Sequence, residues 1–266
     1  MLSPTSALEP LVRKLELHST LSPAERAAIL SLPVQRRAVP AHTQLFQLGD
    51  SARHCCVLLD GYAIRYKLMI DGGRQILNIL MRGDLVGIQR ALFGHPDHGV
   101  EMLTPGAVAV IPADALDALL SEHPGLVRVL WADTLSGGAI EREWICNVGR
   151  RDARSRIAHL FCELAVRHEQ LELGQRTEFK LALTQTHIAD CAGLTAIHVN
   201  RVLQSLRADD LIKTEQRRLT IKDWNGLTRV GAFDDRYLHA EQTPTSRRSR
   251  DPELANGRVN HANAPS

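Results

Sequence analysis

The stretch from Leu183 to Leu203 leaves this chain little choice of local structure. It reads Leu183-Thr184-Gln185-Thr186-His187-Ile188-Ala189-Asp190-Cys191-Ala192-Gly193-Leu194-Thr195-Ala196-Ile197-His198-Val199-Asn200-Arg201-Val202-Leu203. Thr184 and Thr195 each stand where a hydroxyl can cap the start of a helix. Gly193 supplies the backbone freedom of a tight turn, and the small Ala189 lets a second helix cross the first closely. With those constraints Ile188, Ala192, Leu194, Val199 and Val202 point inward together. Helical periodicity then leaves Ala196, Ile197, Asn200, Arg201 and Gln204 on the outer face of the second helix. Directly after it, Leu206 to Lys213 leads into a strand, a short turn at Glu215-Gln216-Arg217 and a second strand from Arg218 to Lys222.

Two short crossed helices followed by a two-stranded wing with basic residues at its tip form a winged helix-turn-helix, whose second helix can enter a DNA major groove. The wing's Arg217 and Arg218 suit phosphate contact. Bulk charge does not announce such a partner, because the formal net charge is only +2; the reading rests on local pattern. An ordinary helical hairpin within a core is the bland alternative, and the wing counts against it.

The first half of the chain has a different grammar. From about residue 38 to residue 111, short segments rich in Val, Ile, Leu and Tyr alternate with turn formers: Cys55 to Leu59 before Asp60-Gly61, Tyr62 to Tyr66 before Asp71-Gly72-Gly73, Gln75 to Leu80 before Arg82-Gly83-Asp84, and Ala107 to Ile111 before Pro112. Strands at this spacing predict a small antiparallel barrel or jelly roll. Ser22-Pro23-Ala24-Glu25 ahead of it is a helix start, and Pro112-Ala113-Asp114 opens a short helix after it. Pro124 begins a long helix to about Val148 whose apolar positions, among them Leu126, Val127, Leu130, Leu135, Ile140, Trp144, Ile145 and Val148, are wider than one stripe. Such a helix is expected to pack on two surfaces, its own barrel and a partner, with a helix buried within one protomer as the alternative. Gly137-Gly138 within it fits either close approach of a second helix or a kink.

The basic segment Gly149-Arg150-Arg151-Asp152-Ala153-Arg154 reads as a hinge, with Asp152 as N-cap of the next helix. The expected organisation is therefore α+β: a sensor barrel with N-terminal helices over 1–120, a dimerisation helix and hinge over 121–150, a winged helix-turn-helix domain over 151–239, and a polar, disordered tail over 240–266. No run is long and apolar enough to span a bilayer, and the N-terminus lacks a secretory pattern, so a cytoplasmic protein without a membrane partner is expected. The five cysteines, at 55, 56, 146, 162 and 191, show no CxxC pair, which argues against a zinc ribbon or a disulfide framework. Cys191 reads as a small buried hydrophobe, with a redox-sensing thiol as the other option.

In this order of parts, and in Thr195-Ala196-Ile197-His198-Val199-Asn200-Arg201 together with Asp223-Trp224-Asn225-Gly226-Leu227 and Phe233-Asp234-Asp235-Arg236-Tyr237-Leu238, the chain resembles the Crp/Fnr superfamily, the cyclic-AMP receptor protein and its relatives, and within it an alphaproteobacterial-looking subset. The resemblance covers about residues 10 to 235. It implies a homodimeric, sequence-specific regulator of transcription that binds double-stranded DNA and contacts RNA polymerase, with a barrel of the cyclic-nucleotide-binding type. It places base reading on Ala196, Ile197, Asn200 and Arg201, and phosphate contact on Thr184, Gln185, Thr195 and His198. Arg201 can present the bidentate fork that reads guanine; a phosphate contact or an ion pair are its other roles. Ala196 and Ile197 neither donate nor accept, so a different half-site, read partly through a thymine methyl, is expected.

The sensor half departs from the family. Gly83-Asp84-Leu85 and Gly87 keep a family-like pocket turn, but the stretch Phe93-Gly94-His95-Pro96-Asp97-His98-Gly99-Val100 has neither the Arg nor the Ser that receives a cyclic phosphate, and it carries an acid. The helix positions that complete the pocket fall on Glu141 and Arg142, of which Arg142 alone suits a phosphate. Cyclic AMP is therefore not the expected effector, and the effector is unassigned. An iron–sulfur cluster of the Fnr kind needs four thiolates, and the first 54 residues contain no Cys. His42, His95 and His98 show no haem-ligand spacing, so no cofactor is predicted. His54, His95 and His98 form no HxH cluster, and an enzyme is not expected. The rival reading is a ligand-binding or protein-interaction module that has lost DNA binding.

Overall fold

The computed structural model describes residues 7–50, 54–93 and 95–239, the side chains of 90–92 excepted; the tail expected over 240–266 lies outside them. Two short helices, α1 (Glu9–Glu16) and α2 (Pro23–Leu30), open the chain. Ser22 begins α2 with a reciprocal cap: its Oγ accepts from the Glu25 amide at 3.3 Å, and Glu25 Oε2 accepts from the Ser22 amide at 2.8 Å. This satisfies two donors that a helix start otherwise leaves open.

Eight strands follow: β1 (Gln35–Val39), β2 (Gln44–Phe46), β3 (His54–Asp60), β4 (Ala63–Leu68), β5 (Arg74–Leu80), β6 (Leu85–Val86), β7 (Gly99–Met102) and β8 (Gly106–Pro112), with a short α3 (Ile88–Phe93) after β6. They form two four-stranded antiparallel sheets, ordered β1-β8-β3-β6 and β2-β7-β4-β5, as a jelly roll. Strand β3 shows why its sequence is an unbroken apolar run rather than an alternating one. Cys56 and Leu58 fill the space between the sheets, while Cys55 and Val57 meet the helices outside. Both faces of this strand are buried.

Helix α4 (Ala113–Glu122) and the 26-residue α5 (Gly125–Arg150) come next. Helix α5 is continuous through Gly137-Gly138 and runs about 39 Å at the usual helical rise. A Cβ at Gly137 would meet nothing within 4 Å, so nothing in the protomer approaches that point. Leu126, Val129, Leu130, Ile140 and Trp144 are buried on one face, whereas Val127, Trp131, Leu135 and Ile145 are more than half exposed or close to it, at 50, 65, 53 and 72%.

The second half contains α6 (Ala153–Gln170), β9 (Glu178–Lys180), α7 (Gln185–Ala192), α8 (Ala196–Ala208), β10 (Ile212–Glu215), β11 (Arg218–Ile221), α9 (Trp224–Gly231) and a closing 3-10 turn, Asp235–Leu238. Asp152 caps α6, accepting from the Ser155 amide at 2.8 Å. The expected two-stranded wing has a third strand: the sheet order is β10-β11-β9, with Leu219 opposite Phe179. Phe179 is 1% exposed, and its burial holds this three-residue strand against the sheet.

The two halves are not separate bodies joined by a hinge alone. One continuous core runs from Tyr62, Ile64 and Ile79 of the jelly roll through Trp144 of α5 to Phe161, Leu206 and Leu227 of the second half. Helix α6 makes the polar part of this junction. Arg167 donates to the Ile79 carbonyl at 2.6 Å, and His168 meets the Tyr62 hydroxyl at 2.8 Å. No helix among the described residues is long and apolar enough to cross a membrane.

Candidate nucleic-acid interface

Helices α7 and α8 are built by the devices their sequence announces. Thr184 Oγ1 accepts from the His187 amide at 3.2 Å, and His187 Nδ1 accepts in return from the Thr184 amide at 3.3 Å. Gly193 ends α7 in the left-handed region at φ 62°, where L side chains are strained. Two residues on, Thr195 Oγ1 accepts from the His198 amide at 3.2 Å and starts α8. Ile188, Ala189, Ala192, Val199, Val202 and Leu203 are buried between the helices and the core, and Leu194 is half-buried.

The opposite face of α8 is open. Ala196, Ile197, His198, Asn200 and Arg201 are all exposed, with Ile197 at 70%. Thr184, Gln185 and Thr195 are exposed beside them at the two helix starts. Arg154, Thr195, Ile197, His198, Arg201 and Ser205 line a shallow surface recess there. Arg154 of α6 reaches Ser205 and Asp209, which fixes the far end of α8 to the rest of the domain. The sequence singled out Arg154 only as part of a basic hinge; its partners lie more than fifty positions away.

At the wing, Gln216 and Arg217 both have positive φ, 45° and 62°, the geometry of a two-residue hairpin turn whose twist matches its strands. Arg217 is exposed at the tip. Arg218 is exposed too, and it pairs with Glu178 of β9 at 2.9 Å. An exposed pair of this kind is worth about 0–1 kcal/mol, so a phosphate can compete for the guanidinium. Cys191 is 3% exposed, and burial pushes its thiol well above the usual range, which places it with the core rather than with a reactive thiolate.

The five residues expected to shape an effector pocket are not brought together. Asp84, Leu85 and Gly87 line a recess between the jelly roll, α1, α5 and α6 with a water-accessible volume of about 90 Å³. Gly83 faces α1 instead: at φ 93° it lies so close that a Cβ would sit 2.5 Å from the Pro10 carbonyl oxygen. Arg142 is exposed on α5 and outside the recess, because Ile140 and Trp144 take the inward phase of the helix. The cations that do line it are Lys14, Arg65 and Arg167, which come from α1, β4 and α6. Burial raises the Asp84 carboxyl, but Lys14 at 3.2 Å and Arg167 at 3.9 Å outweigh it and hold that carboxyl below its ordinary value. In the stretch expected to lack a phosphate receptor, Asp97 and the His98 ring pair with each other at 2.6 Å.

Comparison with known proteins agrees with this architecture. Residues 155–230 match the Crp-like helix-turn-helix domain and residues 36–123 the cyclic nucleotide-binding domain. A probable transcriptional activator of Rhizobium leguminosarum bv. viciae is 30% identical over 196 residues, which cover 73% of this chain and 80% of that protein. The anaerobic regulatory protein of Haemophilus influenzae is 27% identical over 209 residues, covering 78% and 80%. The structure of FixK2 from Bradyrhizobium japonicum superposes with a TM-score of 0.66 at 21% identity, covering 75% of this chain and 98% of that one, and so shares the fold. With its jelly roll, long helix and helix-turn-helix in that order, the chain belongs to the Crp/Fnr family of DNA-binding transcription regulators and is not an enzyme.

Proposed function

We propose that the protein works in the cytoplasm as a homodimer whose two α8 helices read half-sites about one helical turn apart in double-stranded DNA. The observation that carries this reading is the exposed face of α8, where Ala196, Ile197, Asn200 and Arg201 stand clear of the core on a helix whose start Thr195 caps. Arg201 is the base reader to guanine, Asn200 offers a second polar contact, and Ala196 with Ile197 supplies apolar contact to a thymine methyl. Thr184, Gln185, Thr195, His198, Arg217 and Arg218 hold the phosphates on either side.

The dimer seam is the exposed stripe of α5. Trp131, Leu135, Gly138, Arg142 and Ile145 recur at alternating four- and three-residue steps, the spacing of a helix-to-helix seam. Gly138 would let a partner helix come close, and Arg142 sits in that seam. RNA polymerase is the further partner that family membership suggests. The effector recess, at about 90 Å³, is well below the roughly 300 Å³ at which pockets for nucleotide-sized ligands begin, so cyclic AMP is not its ligand.

Binding-site selection with the wild type and with Arg201→Ala tests this reading. Loss of Arg201 should cost about 1–3 kcal/mol on the preferred site and relax one base pair in each half-site. An unchanged consensus with a smaller salt slope would make Arg201 a phosphate contact instead.

A further inference from the structure

Arg154 of α6 and Asp209 at the end of α8 pair beside the recognition face, and both charges stand where their helices disfavour them. Arg154 lies in the first turn of α6, at the helix end whose open amides already carry positive character. Asp209 follows the last residue of α8, at the end that carries negative character. Helix stability therefore accounts for neither. The next acid, Asp210, is taken up by Lys222 at 2.6 Å, and Arg154 is the cation that answers Asp209.

The placement of the pair decides what else the guanidinium can meet. Ile197, Arg201 and Ser205 follow one another at four-residue steps, so they form one stripe of α8. Arg154 donates from Nη1 to the Ser205 hydroxyl and from Nη2 to the Asp209 carboxylate. Its head group thus lies against the flank of that stripe, one turn beyond Arg201. The Arg154 side chain remains 32% exposed and that of Asp209 54%. A major groove is about 12 Å wide, and a helix with its side chains is about 10–12 Å across. A helix seated in the groove fills it, so a group standing beside that helix from another element meets the phosphate wall rather than the base edges.

Resting on the reading of α8 as the recognition helix, we propose that Asp209 is a built-in competitor of DNA. It holds Arg154 in the free protein, and on binding the guanidinium exchanges this carboxylate for a backbone phosphate at the rim of the groove. Carboxylate and phosphate both offer an arginine a two-oxygen acceptor, so the exchange preserves the fork of donors. The Asp209 carboxylate, left without its cation beside a polyanion, then opposes binding. Asp209 in this way lowers affinity for every duplex alike and leaves the consensus to Arg201 and its neighbours.

The test is the salt dependence of binding of the full chain to its selected site and to an unrelated duplex, for the wild type, Arg154→Gln, Arg154→Lys and Asp209→Asn. Thermal unfolding of each variant separates loss of the fold from loss of a contact. Arg154→Gln should weaken both complexes about fivefold or more at about 0.1 M salt, and should flatten the slope of log K against log salt by about 0.9, the share of one phosphate. Arg154→Lys should keep the slope, because it keeps the charge. Asp209→Asn should tighten both complexes about threefold or more and leave the selected consensus unchanged. An unmoved slope in Arg154→Gln, or an Asp209→Asn protein that binds as weakly as Arg154→Gln, would overturn the proposal and leave the pair as a brace between α6 and α8. A wild type that selects no site would instead overturn the α8 reading on which the proposal rests.

Discussion

Arg167 and Arg201 are the same residue type in opposite surroundings, and the contrast separates two ways of using a cation. Arg201 stands exposed on a regular helix, its direction set by the phase of α8. Arg167 is 3% exposed and holds Glu163, Asn78 and the Ile79 carbonyl. An exposed cation keeps its water until a ligand arrives, so it can change identity between relatives at little cost to the fold. A buried cation has lost that water for good, and its partners must remain. The recognition surface is therefore free to diverge, while the junction behind it is constrained.

Acid should break this contrast first. His159 and His168 are buried, and burial drives each down from 6.5 to about 4. His168 accounts for both ring nitrogens as a neutral side chain: Nδ1 donates to the Leu164 carbonyl at 2.6 Å and Nε2 accepts from Tyr62 at 2.8 Å. The unfolded chain takes up these protons and the folded chain does not. Stability is thus fully present above pH 6.5 and falls as the pH drops towards 4. The loss at about pH 5 should be roughly 2 kcal/mol for each histidine. Urea midpoints across this range check it, and a flat profile would mean that these rings take up protons in the fold as readily as in the unfolded chain.

Next in size is Glu163, which is fully buried and accepts from Trp144 Nε1 at 2.9 Å, from Tyr237 at 2.8 Å and from Arg167 at 3.3 Å. Glu163→Leu strips three donors of their acceptor and leaves a buried guanidinium with less compensation, at a cost of about 3–5 kcal/mol. Arg201→Ala should change stability by no more than about 0.5 kcal/mol in the same assay. Equal losses in the two variants would erase the distinction between the exposed and the buried cation.

The same contrast explains what could be read from the sequence. Caps at Ser22, Thr184, Thr195 and Asp152, the left-handed Gly193 and the apolar phase of α8 are settled within a few residues, so the helix-turn-helix was legible position by position. Strand β9 was not, because three residues in a polar loop become a strand only when Phe179 meets Leu219. Nor was the junction. Arg167 reaches partners 88 and 89 positions away and His168 one 106 positions away, in a segment whose apolar periodicity looks like any core helix. The resemblance to the family alone places Gly83 and Arg142 at the recess, and local packing turns both elsewhere.

The smallest effect belongs to the contact that lies between the two environments. Arg74 of the β4–β5 hairpin donates to Asp190 of α7 at 2.9 Å, with both side chains about one-fifth exposed, at 22 and 20%. This pair fastens the first helix of the DNA-binding motif to the jelly roll, and Gln75 adds a longer bond to the Cys191 carbonyl at 3.4 Å. Its charges are neither free like Arg201 nor sealed like Arg167, so Coulomb attraction, partial desolvation and salt screening nearly offset one another. Asp190→Asn should cost about 0.5–1 kcal/mol, less at high salt, and a double-mutant cycle with Arg74→Gln should return a coupling of about 1 kcal/mol or less. A coupling above roughly 2 kcal/mol would place the pair with the buried network of α6, and the docking of α7 on the hairpin would then be as constrained as the junction itself.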